Sequence, residues 1–191
     1  MRNPKLQLLT KIGILSALAF LLYLIEFPLP LFPSFLKIDL GDLPALIGAF
    51  ALGPWVGVAI ELIKNILHLI FRSETGGIGE LGNFLTGSAY VLAAGYIYVR
   101  HKTKKNAVIG LIAGTIIMTL AMGFFNFFIL IPAFTGSPVS VDNLPLILTA
   151  ILPFNFIKGV MLSVVTLLLY KKLSPVLHAD IYTEFAHKRA R

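Results

Sequence analysis

Three polar side chains lie within apolar runs in the C-terminal half of the chain. Asn126 occurs in GFFNFFILIP, and Asn155 and Lys158 occur in LPFNFIKG. An amide both donates and accepts hydrogen bonds, an ammonium group only donates, and aromatic rings can stack on a ligand. The set suits a flat, heteroaromatic ligand that carries carbonyl groups and ring nitrogens. The flanking aromatic residues are Phe124, Phe125, Phe127, Phe154 and Phe156.

Each of these polar residues also has a simpler explanation. The ammonium group of Lys158 could extend to the membrane interface, and a single buried asparagine can hydrogen-bond a neighbouring helix. For Lys158 alone the sequence favours neither explanation. Three polar groups at a similar depth favour a binding site.

A second polar stripe occurs in IELIKNILHL. Glu61, Lys64, Asn65 and His68 are spaced i, i+3, i+4 and i+7, so they share one helix face. We favour an ion pair between Glu61 and Lys64, because pairing makes both charges tolerable in a membrane. A proton relay through Glu61 and His68 is the alternative. His68 has no second histidine at metal-ligand spacing, so we expect no metal site.

Motifs for catalysis are absent from the sequence. Gly77, Gly79 and Gly82 match a dinucleotide fingerprint in form, but that motif requires a preceding strand, whereas this segment joins two apolar runs. Within this segment the candidate binding residues are Glu80 and Asn83, which we place at the outer mouth of the predicted binding site. The chain lacks a P-loop, HExxH, GxSxG and cysteine. We therefore predict that it is not an enzyme, has no catalytic residues and holds no cofactor.

Composition places these residues in a membrane protein. The chain of 191 residues is 57% hydrophobic and only 13% charged, about half the charge of a globular domain. Because apolar runs recur along the whole chain, we predict a polytopic membrane protein in contact with lipid.

The net charge of +7 could indicate a nucleic-acid partner, but its distribution indicates topology instead. Twelve of the 16 basic residues form three groups, which we place on the cytoplasmic side: Arg2, Lys5 and Lys11; Arg100, Lys102, Lys104 and Lys105; and Lys171, Lys172, Lys188, Arg189 and Arg191. We expect no nucleic-acid partner.

The apolar runs predict six transmembrane helices. Four runs cover 12–27, 84–99, 107–131 and 144–170, and a longer one covers 43–70. Gly53-Pro54 breaks the long run, and counting it as two helices places all three basic groups on one side. We therefore predict an all-α fold with both termini cytoplasmic.

The predicted organisation is one membrane domain, residues 1–177, followed by a cytoplasmic tail, 178–191. The segments 28–42, 71–83 and 132–143 then face outside. The 28–42 segment is rich in proline and apolar residues, so we expect it to cap the bundle; lying on the membrane surface is the alternative.

In the first helix, the small residues Gly13 and Ala17 would allow another helix to approach closely, inside the bundle or on a partner.

These segments resemble the riboflavin-binding S components of energy-coupling factor (ECF) vitamin transporters. The resemblance rests on FPLPLFP, KIDLGDLPALIG, LGPWVG, IKNILH, NFLTG, FNFFILIP and LPFNFIKG, in this order. It implies a six-helix bundle that captures riboflavin, or FMN, at the outer face of a prokaryotic cell membrane. The matching substrate-binding positions are Asn126, Asn155, Lys158, Asn83, Glu80, Ile38, Asp39, Leu40 and Asp42, the last four lying in or beside the capping loop, whose backbone approaches the ligand.

The resemblance also implies partners. Gly13 and Ala17 match the first-helix interface with a transmembrane coupling subunit, which two cytosolic ATPases drive. Two alternatives stay open: an S component for another vitamin, and a self-sufficient secondary transporter that moves protons through Glu61, Lys64 and His68.

Overall fold

The computed structural model describes residues 4–177; the predicted tail 178–191 lies outside the described residues. Within 4–177 the chain forms six helices and one small hairpin. The first four helices are α1 (Pro4–Tyr23), α2 (Asp42–Leu52), α3 (Pro54–Arg72) and α4 (Ile78–Arg100). The predicted number of helices is confirmed.

The last two helices each contain a π-helical turn. Helix α5 covers Lys104–Thr135 and is π-helical at Asn126–Leu130. Helix α6 covers 141–177. It starts with the 3₁₀ turn Val141–Asn143 and is π-helical at Ile147–Ile151; the segments Leu144–Leu146 and Leu152–Leu177 are α-helical. π-helical turns are rare and frequently occur at functional sites.

Helices α2 and α3 are separated at the predicted Gly53-Pro54 break. Gly53 has a φ of 116°, a conformation that favours glycine, and Pro54 takes the first position of α3. Helix α2 has 11 residues, about 16 Å, too short to cross a membrane alone. Eight of its residues are buried against other protein segments, as a short helix in a bilayer requires.

Several predicted boundaries are wrong. Helix α1 ends at Tyr23 rather than 27, and α4 begins at Ile78 rather than 84. Because α5 continues to Thr135, the predicted outer loops 71–83 and 132–143 shrink to 73–77 and 136–140. Hydropathy missed the first turns of α4 because their polar side chains interrupt the apolar run while the backbone remains helical.

Four of the six described helices, α1, α3, α5 and α6, are long and apolar enough to cross a membrane. Helix α4 has 23 residues, about 34 Å, and is long enough as well, but it carries Glu80, Asn83, Thr86 and Ser88. It packs against α2, α3 and α5, so it occupies the middle of the bundle. Its contact with α5 is close: a Cβ on Gly110 would lie 2.7 Å from the carbonyl oxygen of Ala94.

Residues 24–41 connect α1 to α2 and form the segment called here the cap. It contains two antiparallel strands, β1 (Phe27–Pro28) and β2 (Lys37–Ile38), in which Phe27 pairs with Ile38. Leu36 and Ile38 are buried and pack with Ile147, Ile151 and Phe154 of α6. The cap therefore lies against the bundle at the end where α3 finishes and α4 begins.

One face of helix α1 is exposed and carries small residues. Gly13 and Ala17 are exposed, whereas Ser16 and Ala19 are buried on the opposite side. A Cβ on Gly13 would meet no atom within 4 Å. The two small residues thus do not pack inside this bundle.

Candidate functional site

A cavity of about 580 Å³ lies beneath the cap, between α3, α4, α5 and α6. Its size is typical of a small-molecule site. The cap contributes Ser34, Phe35, Leu36 and Lys37, and α4 contributes its first three turns. Seven of the sequence-predicted residues line this cavity: Asp39, Asp42, Glu80, Asn83, Asn126, Asn155 and Lys158.

Two asparagines supply the amide groups of the α5 and α6 wall. Asn126 opens the π-helical turn of α5, and Asn155 follows that of α6 by four residues. Each Nδ2 donates to a carbonyl in its own helix, Asn126 to Met122 and Asn155 to Ile151, both at 2.9 Å. The hydrogen-bond network thereby assigns each Oδ1 as an acceptor left for a ligand.

Lys158 does not extend to the interface. Its side chain is buried, and Nζ lies 2.8 Å from Oδ2 of Asp39 and 3.1 Å from Oδ2 of Asp42. Two carboxylates from the cap and from the start of α2 therefore hold the ammonium group at the cavity wall. An ammonium has three N–H donors, so one remains for a ligand.

The predicted Glu61–Lys64 ion pair is confirmed, and it belongs to a larger network. Lys64 Nζ lies 2.6 Å from Glu61 Oε2 and also donates to Oδ1 of Asp42. It donates at 2.9 Å to Oδ1 of Asn83, so the NH₂ group of Asn83 is the part left to donate. Asp42 thus joins Lys64 to Lys158.

Sequence reasoning placed only the backbone of 38–42 near a ligand and missed the role of the two aspartates. Both side chains are buried, Asp39 at 2% and Asp42 at 1% exposure. A signal was present: two lysines in apolar helices require acidic partners, and IDLGD is the acidic segment that directly precedes an apolar helix.

Charged residues also surround the mouth of the cavity. Lys37 on β2 lies 2.8 Å from both Glu26 and Glu74, so it ties the cap to the α3–α4 connection. Hydrogen bonding to Glu26, then to Glu74, raises the pKa of Lys37. The same hydrogen bond from Lys37 lowers the pKa of Glu74. We call these three residues the clasp.

Glu80 lies on a helix and not in a loop as predicted. It occupies the first turn of α4 and is buried, where Oε1 lies 2.8 Å from His68 Nδ1 and Oε2 accepts from Thr75. The His68 ring stacks on Tyr23, with centroids 3.9 Å apart. The alternative proton relay through Glu61 and His68 finds no support here, since the two side chains bond to different partners.

Two predicted positions lie elsewhere. Ile38 and Leu40 line a separate apolar cavity of about 220 Å³ between α1, the cap and α6. Among the five phenylalanines singled out in the sequence, Phe154 lines the main cavity, while Phe124 and Phe156 are half exposed. Sequence reasoning missed three aromatic residues that line the cavity: Tyr23 at the end of α1, Phe35 on the cap and Phe134 in the last turn of α5.

The cavity is acidic although the chain is basic. Its lining includes five carboxylates and two ammonium groups: Glu26, Asp39, Asp42, Glu74 and Glu80, with Lys37 and Lys158. Both ammonium groups are already paired. With both ammonium groups paired and carboxylates in excess, the lining suits a neutral ligand rich in hydrogen-bonding groups. Within the described chain, no group of three His, Cys, Asp or Glu residues could hold a metal ion.

Comparisons with known proteins agree with this architecture. Residues 7–170 match the family described as ECF transporter, substrate-specific component. Riboflavin transporter FmnP of Bacillus subtilis is 36% identical over 178 residues, which cover 90% of this chain and 94% of that protein. Riboflavin transporter RibU of Staphylococcus aureus is 38% identical over 170 residues, covering 87% and 89%.

Solved structures show the same fold. A structure described as the S component of a bacterial ECF transporter matches with a TM-score of 0.80 at 36% identity, covering 91% of this chain and 98% of that one. A structure of ThiT from Listeria monocytogenes matches with a TM-score of 0.60 at 19% identity, covering 92% and 99%. The second likeness concerns the fold alone.

Proposed function

Because the chain belongs to the family of ECF transporter substrate-specific components, we propose that it captures riboflavin at the outer face of the cell membrane and delivers it for ATP-driven uptake by partner subunits. Riboflavin is proposed as the ligand because the relatives in Bacillus subtilis and Staphylococcus aureus are named riboflavin transporters. The side chains of the cavity support it.

The observation that carries the proposal is the grouping of Asn126, Asn155 and Lys158 on one wall. The pyrimidine edge of a flavin presents two carbonyl oxygens with an N–H group between them. The asparagine Oδ1 atoms can accept from that N–H, and the remaining N–H of Lys158 can donate to a carbonyl. In a desolvated cavity such pairing is selective, because a ligand without these groups leaves buried polar atoms unpaired.

The acidic lining favours riboflavin over FMN. A phosphate group carries close to two negative charges at neutral pH and would enter a cavity that already holds an excess of carboxylates. The ammonium groups of Lys37 and Lys158 are both engaged in ion pairs. We therefore propose that the neutral vitamin is the preferred ligand and that its phosphate ester binds more weakly.

ATP-driven uptake requires partner subunits, since the sequence contains no ATP-binding P-loop. We propose that a transmembrane coupling subunit contacts the exposed Gly13 and Ala17 on α1, and that two cytosolic ATPases drive it. In this arrangement the termini are cytoplasmic and the cap faces outside, which agrees with the grouping of the basic residues.

The decisive experiment is titration of the purified protein with riboflavin. We expect protein from a flavin-containing host to be yellow, to release flavin on denaturation, and, once stripped, to quench riboflavin fluorescence. FMN should bind more weakly in the same assay. A colourless protein that fails to quench riboflavin would refute the proposed ligand and leave an S component for another vitamin as the remaining interpretation.

A further inference from the structure

A second cavity, separate from the proposed flavin site, lies between α1, the cap and α6. It has a volume of about 220 Å³, and we call it the lateral cavity. Leu22 lines it from the last turn of α1, Ile38 and Leu40 line it from the cap, and Met161 and Val165 line it from α6. Segments distant in sequence thus surround a space that their own side chains leave unfilled.

The lining of the lateral cavity suits hydrocarbon. All of its lining residues are apolar except Asp39. Both carboxylate oxygens of Asp39 are engaged: Oδ1 accepts from the backbone N–H of Gly41 at 2.7 Å, and Oδ2 accepts from Lys158 at 2.8 Å. A polar ligand would therefore lose its hydrogen bonds to water without replacement, whereas an apolar cavity of about 150 Å³ is already large enough to bind benzene.

The surroundings of the lateral cavity identify the source of that hydrocarbon. Leu21 and Ile25, beside Leu22 on α1, are exposed, as are Val164 and Leu168, beside Val165 on α6. Both helices are long and apolar enough to cross a membrane, so their exposed apolar side chains contact lipid. The lateral cavity is therefore a recess in a lipid-contacting surface, and the acyl chains of the bilayer are its neighbours.

The cap provides one wall of this recess. Ile25 and Phe27 line the lateral cavity, yet they are 69% and 53% exposed, and an occupant would cover part of that apolar surface. Asp39 lines both the lateral cavity and the main cavity, so the cap segment 38–40 separates the two. Ile38 and Leu40, which do not line the main cavity, thus face the recess.

We propose that the lateral cavity is a lipid site, in which one acyl chain of a phospholipid from the surrounding bilayer packs against Ile38 and Leu40. The cap segment 38–40 then lies between the lipid chain on one side and the main cavity on the other. The proposal follows from the membrane placement of α1 and α6, and it does not depend on which vitamin the main cavity binds.

The test is lipid retention measured by native mass spectrometry. The protein is purified in a bile-salt detergent, which has no alkyl chain to compete, and is titrated with dioleoyl phosphatidylglycerol. Val165→Phe places a larger side chain in the lateral cavity, and Val164→Phe makes the same change at the neighbouring exposed residue, which does not line it. We expect the wild type and Val164→Phe to retain one lipid equally, and Val165→Phe to bind it about tenfold more weakly, because the added volume competes with the chain.

Glycerol 3-phosphate, which shares the phosphate headgroup but has no acyl chain, should not displace the lipid. Displacement by it, or equal retention by the two variants, would overturn the proposal. A circular dichroism melt shows whether each variant is folded. Failure of the wild type to bind riboflavin would refute the proposed function and would leave the result on lipid unchanged.

If Val165→Phe does not fold, photo-crosslinking of the wild-type protein decides the question. A phosphatidylglycerol with a diazirine in its acyl chain should label Ile25, Phe27 and Met161 more strongly than Ile112 and Leu120, which are exposed on α5 and lie outside the lateral cavity. Uniform labelling of all five positions would indicate only the ordinary layer of lipid around the protein and would overturn the proposal.

Discussion

At the scale of single residues, the cavity combines two kinds of polar group with different functions. The amides of Asn126 and Asn155 each satisfy one hydrogen bond locally and keep an oxygen for a ligand. The ammonium group of Lys158 is instead held by two carboxylates from another part of the chain. Removing an amide should therefore affect binding, and removing the ammonium should affect folding as well.

We expect Asn155→Ala to weaken riboflavin binding by about 1–3 kcal/mol, about five- to 150-fold, because it removes one hydrogen-bond partner from a desolvated site. The melting temperature should change little, since the lost bond to Ile151 lies within a continuous helix. Fluorescence titration and a thermal melt of the same sample measure both quantities. Thr149→Ala provides a control, because Thr149 also bonds its own helix but is exposed. An unaltered affinity in Asn155→Ala would remove this residue from the site.

Lys158→Met should lower both affinity and stability. It leaves Asp39 and Asp42 buried with fewer compensating charges, and breaking one partner of a buried pair typically costs about 3–5 kcal/mol. Asp39→Asn combined with Lys158→Met should recover part of the lost stability but not the affinity. A double variant no more stable than the single one would contradict the pairing.

At the scale of elements, the cavity depends on helices that approach closely below it. The contact between α4 and α5 at Gly110 leaves no room for a side chain. The cap closes the other end through the clasp, whose charges are partly exposed. A substitution at the helix contact should therefore act through packing and alter stability, whereas the clasp should respond to pH.

We expect Gly110→Ala to destabilise the protein by about 1–3 kcal/mol, because the new methyl group meets the backbone of Ala94, which cannot move aside. Gly13→Ala is the matched control on an open helix face, and it should be neutral or slightly stabilising since alanine favours the helix. Thermal unfolding of the detergent-solubilised proteins separates the two. Similar melting temperatures for both variants would argue against the close α4–α5 contact.

The clasp should make release of the ligand sensitive to acid. The pKa of Glu74 lies below its usual 4.5, so the ion pair stabilises the folded protein above that value and is lost as the pH falls below it. The pKa of Lys37 lies above its usual 10.5, so its contribution persists up to that value and is lost only beyond it. Between about pH 5 and 10 the clasp stays closed.

We therefore expect the dissociation rate of riboflavin to be constant from about pH 5.5 to 9 and to rise below about pH 4.5. Lys37→Met should increase the rate two- to fivefold at pH 7, as for a partly exposed ion pair, and should reduce the acid dependence. Lys105→Met, an exposed substitution at the other end of the bundle, serves as the control. Identical stopped-flow rates for the wild type and Lys37→Met at every pH would show that the clasp does not hold the cap.

At the scale of the whole molecule, the proposed capture and the proposed coupling to partner subunits involve different parts of the protein. The cavity lies beneath the cap, whereas Gly13 and Ala17 lie on the exposed face of α1 and do not line the cavity. The described residues therefore separate a ligand-binding region from a bare helix face that a partner can approach.

Ala17→Leu should leave riboflavin binding by the isolated protein near normal, because Ala17 is exposed and does not contact the cavity. It should reduce co-purification with the coupling module and abolish uptake into cells, since a larger side chain prevents close helix approach. Ala133→Leu, an exposed substitution on α5, is the control. Normal assembly and uptake by Ala17→Leu would show that this face is not the interface.

The sequence by itself determined the class of protein, the number of helices and most of the polar set. In a bilayer each buried polar residue is costly, so Asn126, Asn155, Lys158, Glu61 and Lys64 were visible against an apolar background. The Gly53-Pro54 break was equally visible, because both residues have strong backbone preferences. These are local signals, and a single sequence carries them.

The tertiary structure alone decided which polar groups meet. Asp39 and Lys158 are 119 residues apart in sequence, yet their side chains are joined by a hydrogen bond of 2.8 Å. The helical start of α4, the stacking of His68 on Tyr23 and the separation of Ile38 and Leu40 from the main cavity likewise depend on how helices pack. Hydropathy indicates that a polar residue must be shielded from lipid, but it does not identify the residue's hydrogen-bond or ion-pair partner. The partner is determined by contacts between segments that are distant in sequence.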